Sequence, residues 1–149
     1  MKKIFTLVLG LILFAAASQA QVFEPVKWSV ASKKLNDKEA VVFIKATIEK
    51  GWHIYSLNLE DGGPIATSFD FSPSQQFSLV GKVAEPKPKH DFEEVFNMDV
   101  SYFEKEVVFQ QKVKLNGDKA TVKGKVEWQA CDDERCLPPD EYSFAIAVK

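Results

Sequence analysis

Cys131 and Cys136 are the residues of this sequence with the most distinctive chemistry, and the chain contains no other cysteine. Four charged residues stand between them, and Leu137 and a double proline follow. A disulfide between them would close a loop of six residues. Closing so short a loop stabilises a fold by only about 2 kcal/mol. The spacing therefore favours a disulfide that opens and closes over one that only staples the fold.

The charges around the two sulfurs are unequal. Asp132 and Asp133 directly follow Cys131 and disfavour a thiolate at that position. Arg135 adjoins Cys136 and favours a thiolate there. Because the thiolate is the attacking species in thiol–disulfide exchange, we expect Cys136 to be the sulfur that joins a partner.

Two other roles for the cysteine pair stay open. A purely structural disulfide is the simpler interpretation, because the spacing is not that of a thioredoxin motif. A soft metal such as copper, held with His90 or Met98, is a weaker alternative, since the sequence has no second cysteine pair. The other histidine, His53, is interpreted as an ordinary strand residue rather than as a ligand or base.

Short strands flank the cysteines and recur along the rest of the chain. The alternating or β-branched runs are residues 41–48, 52–59, 68–71, 77–83, 107–115, 121–128 and 142–148. Asn116-Gly117 predicts a hairpin between the fifth and sixth of these runs. Repeated short strands with turn residues indicate an antiparallel β-sandwich. A six-residue loop is too short for a disulfide between sheets about 10 Å apart, so the bond must be local.

Residues 90–99 show no convincing period and are expected to be irregular. One interpretation is that their apolar side chains fill the edge of the core. The other is that the segment is a hydrophobic lid, which shields the disulfide until a partner displaces it. The apolar side chains in question are Phe92, Val95, Phe96 and Met98.

Three regions of the sequence resemble the N-terminal (alpha) domain family of the thiol:disulfide interchange protein DsbD. Gln129-Ala130-Cys131 and Cys136-Leu137-Pro138-Pro139 are similar to the Gln-Gly-Cys and Cys-Tyr-Pro-Pro signature of that family. Gly51-Trp52-His53-Ile54-Tyr55 resembles its aromatic strand. Glu93-Glu94-Val95-Phe96, followed by Tyr102-Phe103, is similar to its acidic cap-loop segment.

The resemblance implies an all-β, immunoglobulin-like antiparallel β-sandwich that exchanges disulfides with thioredoxin-like periplasmic partners. It implies that Cys131 and Cys136 are the catalytic pair and that Cys136, which precedes the prolines, meets the partner. It also implies that Phe96 caps the sulfurs, with Tyr55 and Glu94 lining the site, although core packing is an equal alternative for Tyr55. No metal or organic cofactor is implied. Family members are normally fused to a membrane electron-carrying domain. No such domain is found in this sequence, so we expect a separate membrane protein to be the electron donor.

The N-terminus has the features of a secretory signal peptide. Two lysines precede a short apolar run, and Ser18-Gln19-Ala20 supplies small residues at a cleavage site. The run is shorter than the roughly 20 residues that a membrane-spanning helix needs. We therefore expect a signal peptide over residues 1–20, a single domain over residues 21–149, and export to the periplasm, where disulfides persist.

The composition excludes several classes of protein. The formal net charge is −2, and no strongly basic patch suggests nucleic acid as a partner. No small-molecule site is evident in the sequence. The alternative to an exchange module is a non-catalytic β-sandwich binding module, whose disulfide stiffens a recognition loop.

Overall fold

The computed structural model describes residues 23–149, and in this range the secondary structure consists of β strands. No helix among these residues is long and apolar enough to cross a membrane. The predicted signal peptide lies outside the described residues. The strands are β1 (Val26–Asn36), β2 (Glu39–Ile48), β3 (His53–Tyr55), β4 (Ser68–Phe71), β5 (Phe77–Ala84), β6 (Lys89–Glu93), β7 (Met98–Phe103), β8 (Glu106–Leu115), β9 (Ala120–Trp128), β10 (Ala130–Cys131) and β11 (Asp140–Val148).

The strands form three antiparallel sheets. A four-stranded sheet has the order β1-β2-β8-β5, and a three-stranded sheet has the order β11-β9-β4. Two clusters of buried apolar side chains are shared by these two sheets, which therefore pack as a sandwich. A third sheet, β10-β3-β7-β6, carries the cysteine segment. The predicted all-β antiparallel sandwich is confirmed.

Strict alternation along the long strands builds the core. On β8, Val107, Phe109, Val113 and Leu115 are buried, while Gln110 and Lys114 between them are exposed. Successive side chains of a strand point to opposite faces, so this pattern turns one face toward the facing sheet. Trp28 on β1 contacts both apolar clusters and connects them.

Gln111 is the polar exception on the inward face of β8. Its side chain is 1% exposed, and its Nε2 donates to the carbonyl oxygens of Val80 (3.2 Å) and Lys112 (2.8 Å). Strand β5 shifts register after Val80, where Gly81 has a φ of 70°. The buried amide of Gln111 is therefore satisfied by backbone carbonyls beside the bulge.

Two local predictions were wrong. Asn116-Gly117 does not close a hairpin, because β8 pairs with β2 and β5 whereas β9 pairs with β11 and β4. The turn instead carries the chain from one sheet of the sandwich to the other. Residues 90–99 are not irregular, since β6 and β7 pair with each other around a turn at residues 94–97. The boundary predicted at residue 21 stays a prediction.

The third sheet draws its short strands from distant parts of the sequence. In its order, β10 lies beside β3, and β3 lies beside β7. All three residues of β3 are buried, because both of its faces are covered. Ile54 joins the sandwich core with Phe103 and Ala130. His53 and Tyr55 alternate with Ile54 and therefore point to the opposite face, where the cysteines lie.

Candidate disulfide exchange site

Cys131 and Cys136 are joined by a disulfide, with their Cα atoms 4.0 Å apart. Backbone hydrogen bonds close the loop around it: Leu137 N–H donates to the Ala130 carbonyl (2.8 Å), and Asp132 N–H donates to the Arg135 carbonyl (2.9 Å). The two cysteines also face each other as an isolated antiparallel bridge. The disulfide is therefore a local ring at the end of β10, as the sequence spacing required.

The two cysteines of this ring differ in exposure. Cys131 lies in β10, between Ala130 and the loop, and is fully buried. Cys136 is only partly buried. A thiolate approaching from solvent would therefore reach Cys136 before Cys131.

Asp132 organises the loop between the sulfurs. Its Oδ1 accepts hydrogen bonds from the backbone N–H groups of Glu134 (2.9 Å) and Arg135 (2.7 Å). These two bonds hold the pKa of the Asp132 carboxyl below its ordinary value, with a smaller contribution from the charge of Arg135. An aspartate that accepts hydrogen bonds from nearby backbone N–H groups commonly stabilises a tight turn.

The Arg135 side chain interacts with Trp52 and Asp132 as well as standing next to Cys136 in the sequence. Its guanidinium carbon lies 5.7 Å from the centre of the Trp52 ring, and its Nε lies 3.7 Å from Asp132 Oδ2. Phe23 packs on Trp52 with ring centroids 5.3 Å apart. The positive charge is thus shared with an aromatic face and a carboxylate, so the exposure of Cys136 distinguishes the two sulfurs more clearly than Arg135 does.

The hairpin of β6 and β7 covers the buried sulfur, and residues 89–103 are called the cap hairpin below. Phe96 packs against a small cluster formed by Tyr55, Val100 and Cys131. The turn is held by hydrogen bonds from Phe96 N–H to the Glu93 carbonyl (3.2 Å) and from Asn97 N–H to the Glu94 carbonyl (3.3 Å). Asn97 has a φ of 53°, a conformation that asparagine tolerates well. Other side chains packed against the cluster are Leu59, Met98, Tyr102 and Cys136.

A buried polar network lies on the same face. His53 Nε2 is 3.1 Å from the Tyr55 hydroxyl and 3.3 Å from Glu93 Oε2. The side chains of His53 and Glu93 are 10% and 14% exposed. Burial, and then the neighbouring Glu93 carboxylate, raises the pKa of Tyr55 far above its ordinary value. Tyr55 therefore stays protonated around neutral pH.

An open groove of about 280 Å³ runs past this network. It is strongly acidic, and the Tyr102 hydroxyl on its wall has a raised pKa because of burial and the nearby Glu104 and Asp91 carboxylates. Its lining includes His53, Asp91, Glu93, Glu94, Glu104 and Asp133.

The residues predicted for the site differ in how close they lie to the disulfide. Phe96 and Tyr55 share a cluster with Cys131, whereas Glu94 is exposed at the turn and lines the groove. Glu93, rather than Glu94, contacts the buried network. Sequence reasoning also set aside His53, although its position two residues before Tyr55 on one strand places both side chains on one face.

The proposed copper ligands are separated from one another. Met98 packs in the cluster with the cysteines, but His90 is exposed and its Nδ1 lies 2.8 Å from the Ser101 hydroxyl. Within residues 23–149, no group of three or more His, Cys, Asp or Glu side chains is arranged to hold a metal ion.

The fold and site define an antiparallel β-sandwich domain with an accessible disulfide beneath a hairpin cap. The family described as "Thiol:disulfide interchange protein DsbD, N-terminal" matches residues 19–147. The chain belongs to this family, as its motifs predicted. No curated protein matches the sequence significantly.

Solved structures share the fold at low sequence identity. The N-terminal periplasmic domain of ScsB from Proteus mirabilis matches 83% of this chain with a TM-score of 0.62 and 18% identity, and the chain spans 46% of that structure. The Neisseria meningitidis DsbD N-terminal domain in the reduced form has a TM-score of 0.51 and 17% identity, covering 80% of this chain and 84% of its own. The DsbD N-terminal domain in complex with the PilB N-terminal domain, from the same organism, has a TM-score of 0.54 and 15% identity, covering 84% and 87%.

Proposed function

We propose that this chain is a periplasmic thiol–disulfide exchange module, in which Cys131 and Cys136 cycle between disulfide and dithiol. The observation that carries the proposal is the inequality of the two cysteines. Cys131 is fully buried under the cap hairpin, whereas Cys136 is reachable from solvent. A disulfide with one accessible sulfur can be attacked at a defined atom, which exchange through a mixed disulfide requires.

The family supports the same role. Its description names a thiol:disulfide interchange protein, and the structural neighbour from Proteus mirabilis is a periplasmic domain. Another neighbour was solved as a complex with a second protein domain, which agrees with a fold that docks proteins. We propose thioredoxin-like periplasmic proteins as the exchange partners and a separate membrane protein as the electron donor.

Phe96, Tyr55 and Glu94 have supporting roles in the proposal. Phe96 limits access to the disulfide, since it packs against the cluster that contains Cys131. Tyr55 forms the floor of that cluster and is completely buried. Glu94 stands at the rim, where it meets the approaching partner rather than the sulfurs.

Trapping with single-cysteine variants tests the function. Cys131→Ser leaves Cys136 as the only thiol, and it should hold a thioredoxin-fold protein as a stable mixed disulfide, because no resolving thiol remains. Cys136→Ser, which leaves only the buried sulfur, should trap poorly and serves as the matched control. Non-reducing gels report both results. Trapping by neither variant would contradict the exchange function and favour a binding module with a structural disulfide.

The reduction potential separates the two functions independently. A structural disulfide in an exported protein has a potential below about −300 mV, whereas an exchanging disulfide is more oxidising. Equilibration of the protein with glutathione and dithiothreitol buffers, followed by alkylation and mass spectrometry, gives the value. We expect a potential above that limit.

A further inference from the structure

The buried network beside the disulfide contains a side chain that the proposed function has not used. His53 stands directly opposite Cys131 in the antiparallel pairing of β3 with β10. Side chains at directly opposed positions point to the same face, with Cβ atoms about 4.5–5.5 Å apart. His53 is 8% exposed and Cys131 is fully buried, so both side chains lie on the same largely buried face of the sheet.

Exchange creates a difficulty at this buried position. When a partner thiolate attacks Cys136, a new S–S bond forms to Cys136 and the Cys131–Cys136 bond breaks. The electron pair of the broken bond leaves on the Cys131 sulfur as a thiolate. That thiolate is formed away from solvent, where an unpaired charge is costly, so a nearby proton donor would favour the step.

We propose that His53 exchanges a proton with the Cys131 sulfur each time the disulfide opens or closes, and that Glu93 positions its imidazole. This inference rests on the proposed exchange function. In the opening direction, imidazolium gives its proton to the new thiolate, which leaves a thiol and a neutral ring. In the closing direction, the neutral ring takes the proton back as Cys131 attacks the mixed disulfide. The second thiol of a dithiol reductant completes the two-electron reduction and releases Cys136.

The polar contacts of the ring agree with this role. Tyr55 and Glu93 both approach Nε2, at 3.1 Å and 3.3 Å. No hydrogen bond to Nδ1 is found among the described residues, so in this proposal Nδ1 is the nitrogen that exchanges the proton with the sulfur. Two contacts on one nitrogen fix the orientation of the ring, as second partners do for functional histidines.

Histidine is suited to the task because imidazole ordinarily gains and loses a proton near neutral pH. The groups that surround it come from each element packed against it and are mostly acidic. They are Tyr55 on its own strand, Tyr102 on β7, Glu93 on β6, and Asp132 and Asp133 in the cysteine loop, with Asp91, Glu94 and Glu104 along the groove. Of these groups, Glu93 contacts the ring directly, with Oε2 3.3 Å from Nε2.

The test uses dithiothreitol as the reductant, so that it depends on no protein partner. The reduction rate of the disulfide is followed by alkylation quench from pH 6 to pH 9 in the wild type and in His53→Gln. Glutamine keeps a polar side chain of similar length but cannot titrate. We expect reduction to be about 10²-fold slower at pH 6, the lower end of what positioned proton transfer contributes, and the two rates to converge at pH 9. His90→Gln, which changes the chain's other histidine on the surface, should match the wild type throughout.

If the ratio of the wild-type reduction rate to the His53→Gln rate stayed constant from pH 6 to pH 9, the inference would be overturned. A purely structural effect of His53 would not depend on its protonation. If His53→Gln fails to fold, Glu93→Gln answers the question, since it keeps the histidine but removes the positioning charge. It should show a smaller loss that also fades toward pH 9, and a pH-independent ratio for it would equally overturn the inference. Failure to trap a thioredoxin-fold protein through Cys136 would instead contradict the exchange function and leave these small-thiol kinetics unchanged.

Discussion

The sandwich differs from the third sheet, β10-β3-β7-β6, in the side chains that it buries. The third sheet is called the cysteine sheet below. The sandwich buries apolar residues on strands of up to eleven residues, and Gln111 is the buried polar side chain described on those strands. The cysteine sheet has strands of two to six residues, and its buried side chains include His53 and Tyr55. Apolar burial on large, matched surfaces stabilises the fold. A small sheet with buried polar groups at its end contributes less stability and holds the reactive atoms.

Strand β3 belongs to both regions. Ile54 points into the sandwich core and packs with Phe103 and Ala130. His53 and Tyr55 point the other way, toward the disulfide. The period of two along the strand therefore places residues that pack in the sandwich core and residues beside the disulfide on opposite faces of β3.

The largest expected effect comes from breaking the sandwich alone. Phe109 is completely buried and contacts the rings of Trp28, Phe69 and Phe103, at centroid distances of 6.2, 5.1 and 5.9 Å. Phe109→Ala should lower the free energy of unfolding by about 3–5 kcal/mol. Urea denaturation measures the loss.

The same variant should leave the chemistry of the site almost unchanged. In the folded fraction, the rate at which dithiothreitol reduces the disulfide should equal that of the wild type. Leu35→Ala is the matched control, since Leu35 on β1 is 50% exposed and its truncation should change neither quantity. A large change of exchange rate in Phe109→Ala would mean that the two regions are coupled more tightly than their packing indicates.

A smaller loss is expected where the sandwich holds the loop after β3. Glu85 accepts hydrogen bonds from Ser56 Oγ (2.5 Å), Leu57 N–H (2.8 Å) and Asn58 Nδ2 (3.3 Å). Hydrogen bonds to a charged group contribute about 1.5–3 kcal/mol, so Glu85→Ala should cost about 2 kcal/mol in thermal or urea unfolding. Glu85→Gln is the control, because it keeps the acceptor oxygen and should cost less. Equal losses in the two variants would show that the loop depends on the carboxylate charge, and not on the packing or the acceptor oxygen that glutamine keeps.

The sequence predicted the sandwich better than it predicted the site. The period of two along β8 placed Val107, Phe109 and Val113 on one face, because alternation is a local property that a sequence shows directly. The Asn116-Gly117 turn was misassigned, since turn chemistry does not determine whether the next strand joins the same sheet. Membership of a sheet depends on packing between distant residues.

The disulfide could be predicted from the cysteine spacing, whereas its surroundings could be predicted only in part. A short cysteine spacing forces a local disulfide, so this part needed no tertiary information. The neighbours of the sulfur come from β3 and from the cap hairpin, which are far from Cys131 in sequence. His53 was set aside because no nearby acid in sequence accompanied it, yet the fold brings Glu93 to 3.3 Å from its ring.

The next expected effect separates access from stability in the cap hairpin. Phe96 is partly exposed and packs over the cluster around Cys131. Phe96→Ala should speed reduction of the disulfide by a small thiol, while lowering the free energy of unfolding by well under the roughly 3–5 kcal/mol of a core phenylalanine. Val95→Ala, at an exposed neighbouring position, is the control and should leave the rate unchanged. If the free energy of unfolding fell as much as for a core phenylalanine while the reduction rate stayed unchanged, Phe96 would support the fold and not limit access to the disulfide.

The smallest expected effect concerns the loop between the sulfurs and has a defined pH dependence. The Glu134 and Arg135 N–H groups lower the pKa of Asp132 in the folded protein, so its carboxylate stabilises the native loop above the ordinary aspartate pKa. That contribution is lost as the pH falls through the lowered pKa of the folded state, where the carboxylate gains its proton.

Asp132→Asn should therefore be slightly less stable than the wild type at neutral pH, and the difference should shrink to nothing in strong acid. Amide hydrogen exchange at residues 134 and 135 should be faster in the variant at neutral pH, because a neutral amide oxygen is a weaker acceptor than a carboxylate. Asp133→Asn is the matched control, since Asp133 is exposed and, among the described residues, no loop backbone N–H donates a hydrogen bond to its carboxylate. If Asp132→Asn and the wild type differed equally at neutral and acidic pH, the carboxylate charge could not be what holds the loop.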